Sequence, residues 1–254
     1  MPLKQLFLIL ILALILPAPA LAEQVVAGLS RDEIAITTNF DGSEILIFGA
    51  VRREAPIPRS GPLEVIITVE GPDRPVTVRR KDRRFGIWIN TDAAEVDEAP
   101  TFYAVSTTAP LRDVLSDTND LRHRISIRRA IRAVGSGVSD QPSFTRALIR
   151  IREENGLYQL NEGAVNLRDD TLFDTSVRLP ANLVEGSYRT RIFLTRNRQI
   201  IAAYDTVIAV RKVGLERLIY NLAHERPLIY GILSLVIAIA AGWLASAVFR
   251  YIRA

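Results

Sequence analysis

"DEIAITTNFDGSEILIFGAV", residues 32–51, holds two runs of alternating apolar character on either side of Asp41-Gly42. A period of two places every second side chain on one face, as in a half-buried strand. Asp-Gly between two such runs is a strong hairpin signal, so the stretch predicts two strands joined by a tight turn. "PLEVIITVEGPDRPVTVRR" (62–80) repeats the pattern, with Gly71-Pro72-Asp73 as its turn. "RRFGIWIN" (83–90) and "TFYAVSTTAPL" (101–111) add two short strands. Six or seven strands punctuated by Gly and Pro predict a mainly β chain built on an immunoglobulin-like antiparallel β-sandwich. The Cys–Trp–Cys pattern of immunoglobulin domains is absent.

The period changes after residue 111. Val114, Leu115, Leu121, Ile125, Ile127, Ile131 and Val134 recur at spacings of three to four, which predicts a helical insertion over 112–156. Gly135-Ser136-Gly137 breaks it, Ser139 or Asp140 can cap a second helix, and Gly156 ends that helix. Strand patterns return in "TLFDTSVRLP" (171–180), "GSYRTRIFLTR" (186–196) and "QIIAAYDTVIAVRKVG" (199–214), the last two as a hairpin around Arg196-Asn197-Arg198. The pattern leaves open whether this second β region, 157–214, completes the first one, 23–111, or forms its own sandwich.

Both ends of the chain speak of a membrane. Leu228 to Phe249 contains no charged residue, and its 22 positions reach about 33 Å as a helix, enough for a hydrocarbon core of roughly 30 Å. That predicts a transmembrane helix over 228–249 and a tail over 250–254. Leu215, Leu218, Ile219 and Leu222 form one stripe of a short amphipathic helix over 215–227, fitted to the membrane–water boundary. Tyr220, Tyr230 and Tyr251 suit headgroup level. At the other end, Lys4, the apolar run Leu6–Leu16, Pro17, Pro19 and Ala20-Leu21-Ala22 read as a secretory signal peptide over 1–22, cleaved before Glu23. The ectodomain is then expected in the periplasm and the C-terminus in the cytoplasm, with Arg250 and Arg253 on the inner side.

Composition narrows the chemistry. Removing residues 1–22 takes away Lys4 and no acid, which leaves 31 basic against 28 acidic residues, a net charge of +3. No cysteine is present, so a thiol nucleophile, a zinc–thiolate site, an iron–sulfur cluster and a lipoprotein anchor are excluded. His123 and His224 stand in different segments, neither with a second His at helical spacing, and no metal site is expected. No Gly-x-Ser-x-Gly elbow or dinucleotide-binding glycine pattern occurs. Asp169-Asp170 and Glu153-Glu154 read as solvated turns and caps. The chain is expected to be no enzyme and to need no cofactor.

Two features suit binding. Basic runs place Arg79, Arg80, Lys81, Arg83 and Arg84 in one strand region and Arg122, Arg124, Arg128, Arg129 and Arg132 in the helical region. Guanidinium forks match planar oxyanions, and Arg79, Arg80, Arg83, Arg84, Arg124 and Arg128 are the candidate contacts for an anion, for anionic headgroups of the membrane lipid bilayer or for an acidic partner. The bland alternative is that these runs are hairpin ends and a solvated helix face. In the span, Ser234, Ala238, Ala241, Gly242 and Ala245 form a face of small residues, suited to close packing against a polytopic partner or a second copy. Nucleic acid is not an expected partner outside the cytoplasm.

"FGIWIN", "PTFYAVSTTAPL" and "ERLIYNLAHERPLIYG", with the signal peptide and the single C-terminal span, together resemble an uncharacterised alphaproteobacterial family of transmembrane proteins. The resemblance covers nearly all of the mature chain. It carries no activity or catalytic residue with it. It implies an association, through gene neighbourhood, with permeases of the sulfite-exporter type. The expectation is a non-enzymatic accessory subunit of a membrane transporter; the alternative is a structural or assembly factor of the cell envelope.

Overall fold

Ile34 and Ile45, which the Asp41-Gly42 pattern assigns to one hairpin, lie in different sheets. The computed structural model describes residues 23–36, 40–53, 56, 61–133, 140–212 and 215–253. The expected signal peptide, the Gly135-Ser136-Gly137 break and Ser139 lie outside these residues. A first sheet joins β1 (Gln24–Leu29), β3 (Ser43–Arg52), β10 (Leu172–Leu179) and β9 (Asn166–Arg168), in that order and antiparallel throughout. A second sheet joins β2 (Glu33–Ile36), β12 (Gln199–Lys212), β11 (Gly186–Arg196), β4 (Leu63–Glu70), β7 (Tyr103–Thr107) and β8 (Tyr158–Asn161), again in spatial order. Its inner pairs are antiparallel, but the edge strands β2 and β8 pair parallel with their neighbours. Asp41-Gly42 is therefore a corner between sheets, with Gly42 at φ +113 against the Leu179 carbonyl. Gly71-Pro72 is a second corner, where the chain leaves β4 for the arm formed by β5 (Asp73–Arg84) and β6 (Ile87–Pro100).

The two β regions build one sandwich. β3 pairs with β10 and β4 with β11, so each sheet draws strands from both sides of the helical insertion. Ile45, Ile47, Phe173 and Val177 of the first sheet meet Val65, Ile67, Ile192 and Ile208 of the second in one buried cluster. The opposite face of the second sheet is covered as well. There Ile66, Tyr103, Val105 and Phe193 pack under Val114, Ile125, Phe144 and Leu148 of the insertion. Strand β4 is buried on both faces, which explains why its sequence reads as a continuous apolar run rather than a clean alternation. Tyr188 near the start of β11 donates its hydroxyl to the Val184 carbonyl at 2.8 Å, a tyrosine-corner arrangement. The Asn197-Arg198 turn of the β11–β12 hairpin is as expected, with φ of 51° and 64°.

The helical insertion is more broken than its periodicity suggests. It forms α1 (Leu111–Val114), α2 (Asp117–His123), α3 (Ile127–Ala130) and, beyond residue 139, α4 (Gln141–Glu154). The cause is local polar competition with the backbone. Ser116 caps α2, Arg124 ends it in the left-handed region at φ 50°, and the Asp120 carboxylate accepts from the amides of Ile125 and Ser126. Asp140 stands at the N-cap position of α4, but its carboxylate takes the Ser143 hydroxyl and Arg80 instead of a backbone amide.

After β12 come α5 (Leu215–Glu225) and α6 (Pro227–Arg253). Proline at the first position of α6 lacks only an amide hydrogen that a helix start leaves unused. Pro227–Ser246 has a mean hydropathy of 2.3 and no buried residue. It is one candidate membrane span, in the place the sequence predicts.

Candidate functional site

Arg124 and Arg128 are brought together by the break between α2 and α3. With Leu121, Arg129, Ile131 and Arg132 they line a cavity of about 200 Å³. Arg132 is held there by its ion pair to Glu98 at 3.6 Å and by a two-way backbone bridge to the same residue. Arg124, Arg128 and Arg129 form no ion pair among the described residues. Arg128 also borders a second cavity, of about 210 Å³, against Arg146 and Gln141 of α4. Arg124 shares its charge with the carboxylates of Glu70 and Asp73, while Arg128 and Arg129 are forked donors beside a small concavity that can take a planar or tetrahedral oxyanion.

The wall of this site is fixed from below by Arg191 of β11. Its guanidinium donates to the carbonyl of His123 at 2.7 Å, the carbonyl of Arg124 at 3.2 Å and the Tyr103 hydroxyl at 3.0 Å. Tyr103 in turn donates to the Ile125 carbonyl at 2.9 Å. These donors satisfy carbonyls at the C-terminal end of α2 that the helix itself leaves open. The Glu70 carboxylate lies 3.8 Å from Arg191; burial pushes its pKa up, against the pull of that arginine. Burial likewise raises the pKa of the Tyr103 hydroxyl, which stays protonated and able to donate. Nothing in the sequence pattern marks Arg191 as this strut, because its partners are backbone carbonyls distant in the chain.

Arg79, Arg80, Arg83 and Arg84 go elsewhere, along β5 of the arm. Arg80 is committed: it reaches Asp140 at 2.7 Å and Asp92 at 3.8 Å, and its guanidinium lies 4.7 Å from the centre of the Phe144 ring. Arg84 lies 3.7 Å from Asp82, and Arg83 donates to the Gly86 carbonyl. The two basic runs thus do not converge on one pocket. The arm ends in a two-residue turn, Phe85-Gly86, with φ of 52° and 85°. Phe85, Ile87 and Trp88 around that turn are exposed. The pattern of "RRFGIWIN" suggests one strand and hides this turn, because Phe is an unusual occupant of its first position.

Glu23 anchors the start of the described chain. Its carboxylate accepts from Arg53 at 2.6 Å and from Arg196 at 3.0 Å and 3.2 Å, with all three side chains under 10% exposed. Among the described residues, no group of three or more His, Asp or Glu side chains is placed to hold a metal ion.

On the span, Ser234, Ala238, Ala241, Gly242 and Ala245 fall within an arc of about 100° at 3.6 residues per turn, and Gly231 extends it by a turn. A Cβ built on Gly231 or Gly242 meets nothing within 4 Å, so no part of the described chain packs on that face. In α5, Ile219 and Tyr220 are exposed, and Tyr220 stacks on His224 with ring centres 4.1 Å apart.

Residues 24–251 match the sequence profile of a family described as "Putative transmembrane protein (Alph_Pro_TM)", and the chain belongs to that family. No curated protein matches the chain. Among solved structures, the crystal structure of Spo0M, a sporulation control protein from Bacillus subtilis, is similar at 10% identity over 76% of this chain, with a TM-score of 0.26. The chain spans 50% of the length of that structure.

Proposed function

We propose that this member of the transmembrane family is a non-enzymatic, single-pass accessory subunit of an inner-membrane transporter. The sandwich stands in the periplasm after removal of residues 1–22. α6 crosses the membrane, and Arg250 and Arg253 follow it into the cytoplasm, in keeping with the positive-inside tendency. The observation that carries the reading is the gathering of Ser234, Ala238, Ala241, Gly242 and Ala245 on one face of a span that packs on no other part of the described chain. In lipid, such a face favours close helix–helix approach, and a polytopic permease offers helices for it. The transported class is an oxyanion such as sulfite, which suits Arg128 and Arg129 at the cavity of the helical insertion.

The test is a mild-detergent pull-down of the tagged full chain from its native membrane, followed by mass spectrometry. A polytopic permease in near-equal amount supports the reading, and Gly242→Leu abolishes its recovery. Because the site of that substitution is open within the chain, the variant itself remains folded and inserted. Recovery of the chain alone or only with itself, from wild type and variant alike, overturns the transporter role and favours a structural or assembly function in the envelope.

A further inference from the structure

Phe85 sits where physical chemistry would put Asn, Asp or Gly. At φ 52° it occupies the left-handed region, which is unfavourable for a residue with a bulky side chain. No packing compensates, since Phe85 is 106% exposed relative to a reference residue. Ile87 at 64% and Trp88 at 67% extend the apolar surface beside it. Local rules broken without an internal gain are expected where a segment serves an external contact. Around this tip stand Lys81, Arg83 and Arg84 against a single acid, Asp82. An aromatic and aliphatic tip with a cationic collar matches the headgroup layer of an anionic bilayer, where aromatic rings settle at the apolar–polar boundary and basic side chains meet phosphates.

The topology puts the root of the arm on the right side. Glu70, the last residue of β4, pairs with Arg189, and Gly186 of the same strand pairs with Val210 near the end of β12. β4 and β12 therefore run in the same direction and finish at one end of the second sheet. From that end β12 leads toward α5 and the span, and β4 leads through Pro72 into the arm. Pro72 lies beside Gly186, where a Cβ would come within 2.8 Å of its ring. The register from Asp73↔Pro100 out to Arg84↔Ile87 covers 11 steps of about 3.3 Å, so the arm reaches about 36 Å from its root. α5, with 11 residues, holds the sandwich off the membrane by no more than about 16 Å if it stands upright. The arm is long enough to bridge that distance.

We propose that the tip of the β5–β6 arm, Phe85, Ile87 and Trp88, inserts into the headgroup layer of the bilayer that the span crosses, with Lys81, Arg83 and Arg84 against anionic lipid phosphates. This second contact rests on the membrane anchoring of α6 and is independent of any transporter partner. It fixes the tilt of the sandwich over the membrane, which a single span and a short helix leave free.

The chain contains two tryptophans, Trp88 at the tip and Trp243 in the span, and each can be left as the sole emitter. The full chain is reconstituted into phosphatidylglycerol–phosphatidylcholine vesicles containing lipids brominated high on the acyl chain. In the Trp88→Phe variant, quenching of Trp243 reports that the span is in the bilayer. In the Trp243→Phe variant, the inference predicts a blue-shifted Trp88 emission, loss of most of it to the brominated lipids, and recovery of that emission when Phe85→Ser and Ile87→Ser are added. Solvent-like Trp88 emission, quenched by acrylamide but not by bromine, overturns it. So does a Trp88 shielded from both quenchers, which would mean the tip docks on protein. Loss of Trp243 quenching would instead break the membrane anchoring on which both readings rest.

Discussion

At the scale of single residues, the strongest dependence is on Glu23. Burial alone would raise its carboxyl pKa, but the hydrogen bonds and charges of Arg196 and Arg53 outweigh that and hold it below the usual value of 4.5. A carboxylate whose native pKa is depressed stabilises the fold above its unfolded pKa. That contribution disappears as pH falls from about 4.5 through the depressed native value. Glu23→Ala leaves two buried guanidinium groups without their counter-charge and should cost about 3–5 kcal/mol at neutral pH. Chemical denaturation of the full chain measures it, and the deficit should shrink on acidification. Arg128 carries a different expectation. If it donates to a bound oxyanion, Arg128→Gln removes a charge-assisted hydrogen bond worth about 1.5–3 kcal/mol and weakens sulfite binding about ten-fold or more. Titration calorimetry with sulfite reads this directly, and an unchanged affinity would remove the cavity from the binding site. The arginine-rich character of both regions was legible in the sequence. What was not legible is that Arg80 is consumed by Asp140 while Arg128 is left unpaired, because that depends on where a distant helix begins.

At the scale of elements, alternation and turn chemistry located most strands, and the error lay in their partners. Asp41-Gly42 and Gly71-Pro72 look like hairpin turns and act as corners: β2 pairs far along the chain with β12, and β5 runs on from β4 to the Phe85-Gly86 turn and pairs with β6, the strand that follows it. Pairing is decided by which apolar faces can be buried together, and a local pattern carries no information on that. The helical insertion failed differently. Its apolar spacing is helical, but the Ser116 and Asp120 side chains each offer the backbone a competing hydrogen bond, and the predicted long helix becomes three short ones. Strand packing in the first sheet makes a sharp comparison with the span. A Cβ on Gly49 of β3 would lie 2.4 Å from the Phe173 ring and 2.8 Å from the Val26 carbonyl. Gly49→Ala should therefore destabilise the sandwich by about 1–3 kcal/mol, whereas Gly231→Ala, in open space, should leave its unfolding midpoint unchanged. Thermal melts of the two variants, followed by the far-ultraviolet signal of the sheets, make the comparison.

At the scale of the whole molecule, the β-rich class and the single apolar helix at the C-terminal end were both visible in composition and period. That one sandwich threads through both β regions was not. The order β2-β12-β11-β4-β7-β8 interleaves the two ends of the chain around the insertion, and this topology makes the end of β12 and the root of the arm neighbours. The chain combines a helix that carries a face of small residues with a domain in which Arg128 and Arg129 form no ion pair among the described residues, and the accessory-subunit account rests on that combination. The most direct test is photo-crosslinking in the native membrane. A photoreactive amino acid at Ala241, on the small face, is compared with one at Val236, on the opposite face. The account predicts an adduct with a polytopic membrane protein from position 241 and none from position 236. Adducts with lipid alone, or equal adducts from both faces, would contradict it.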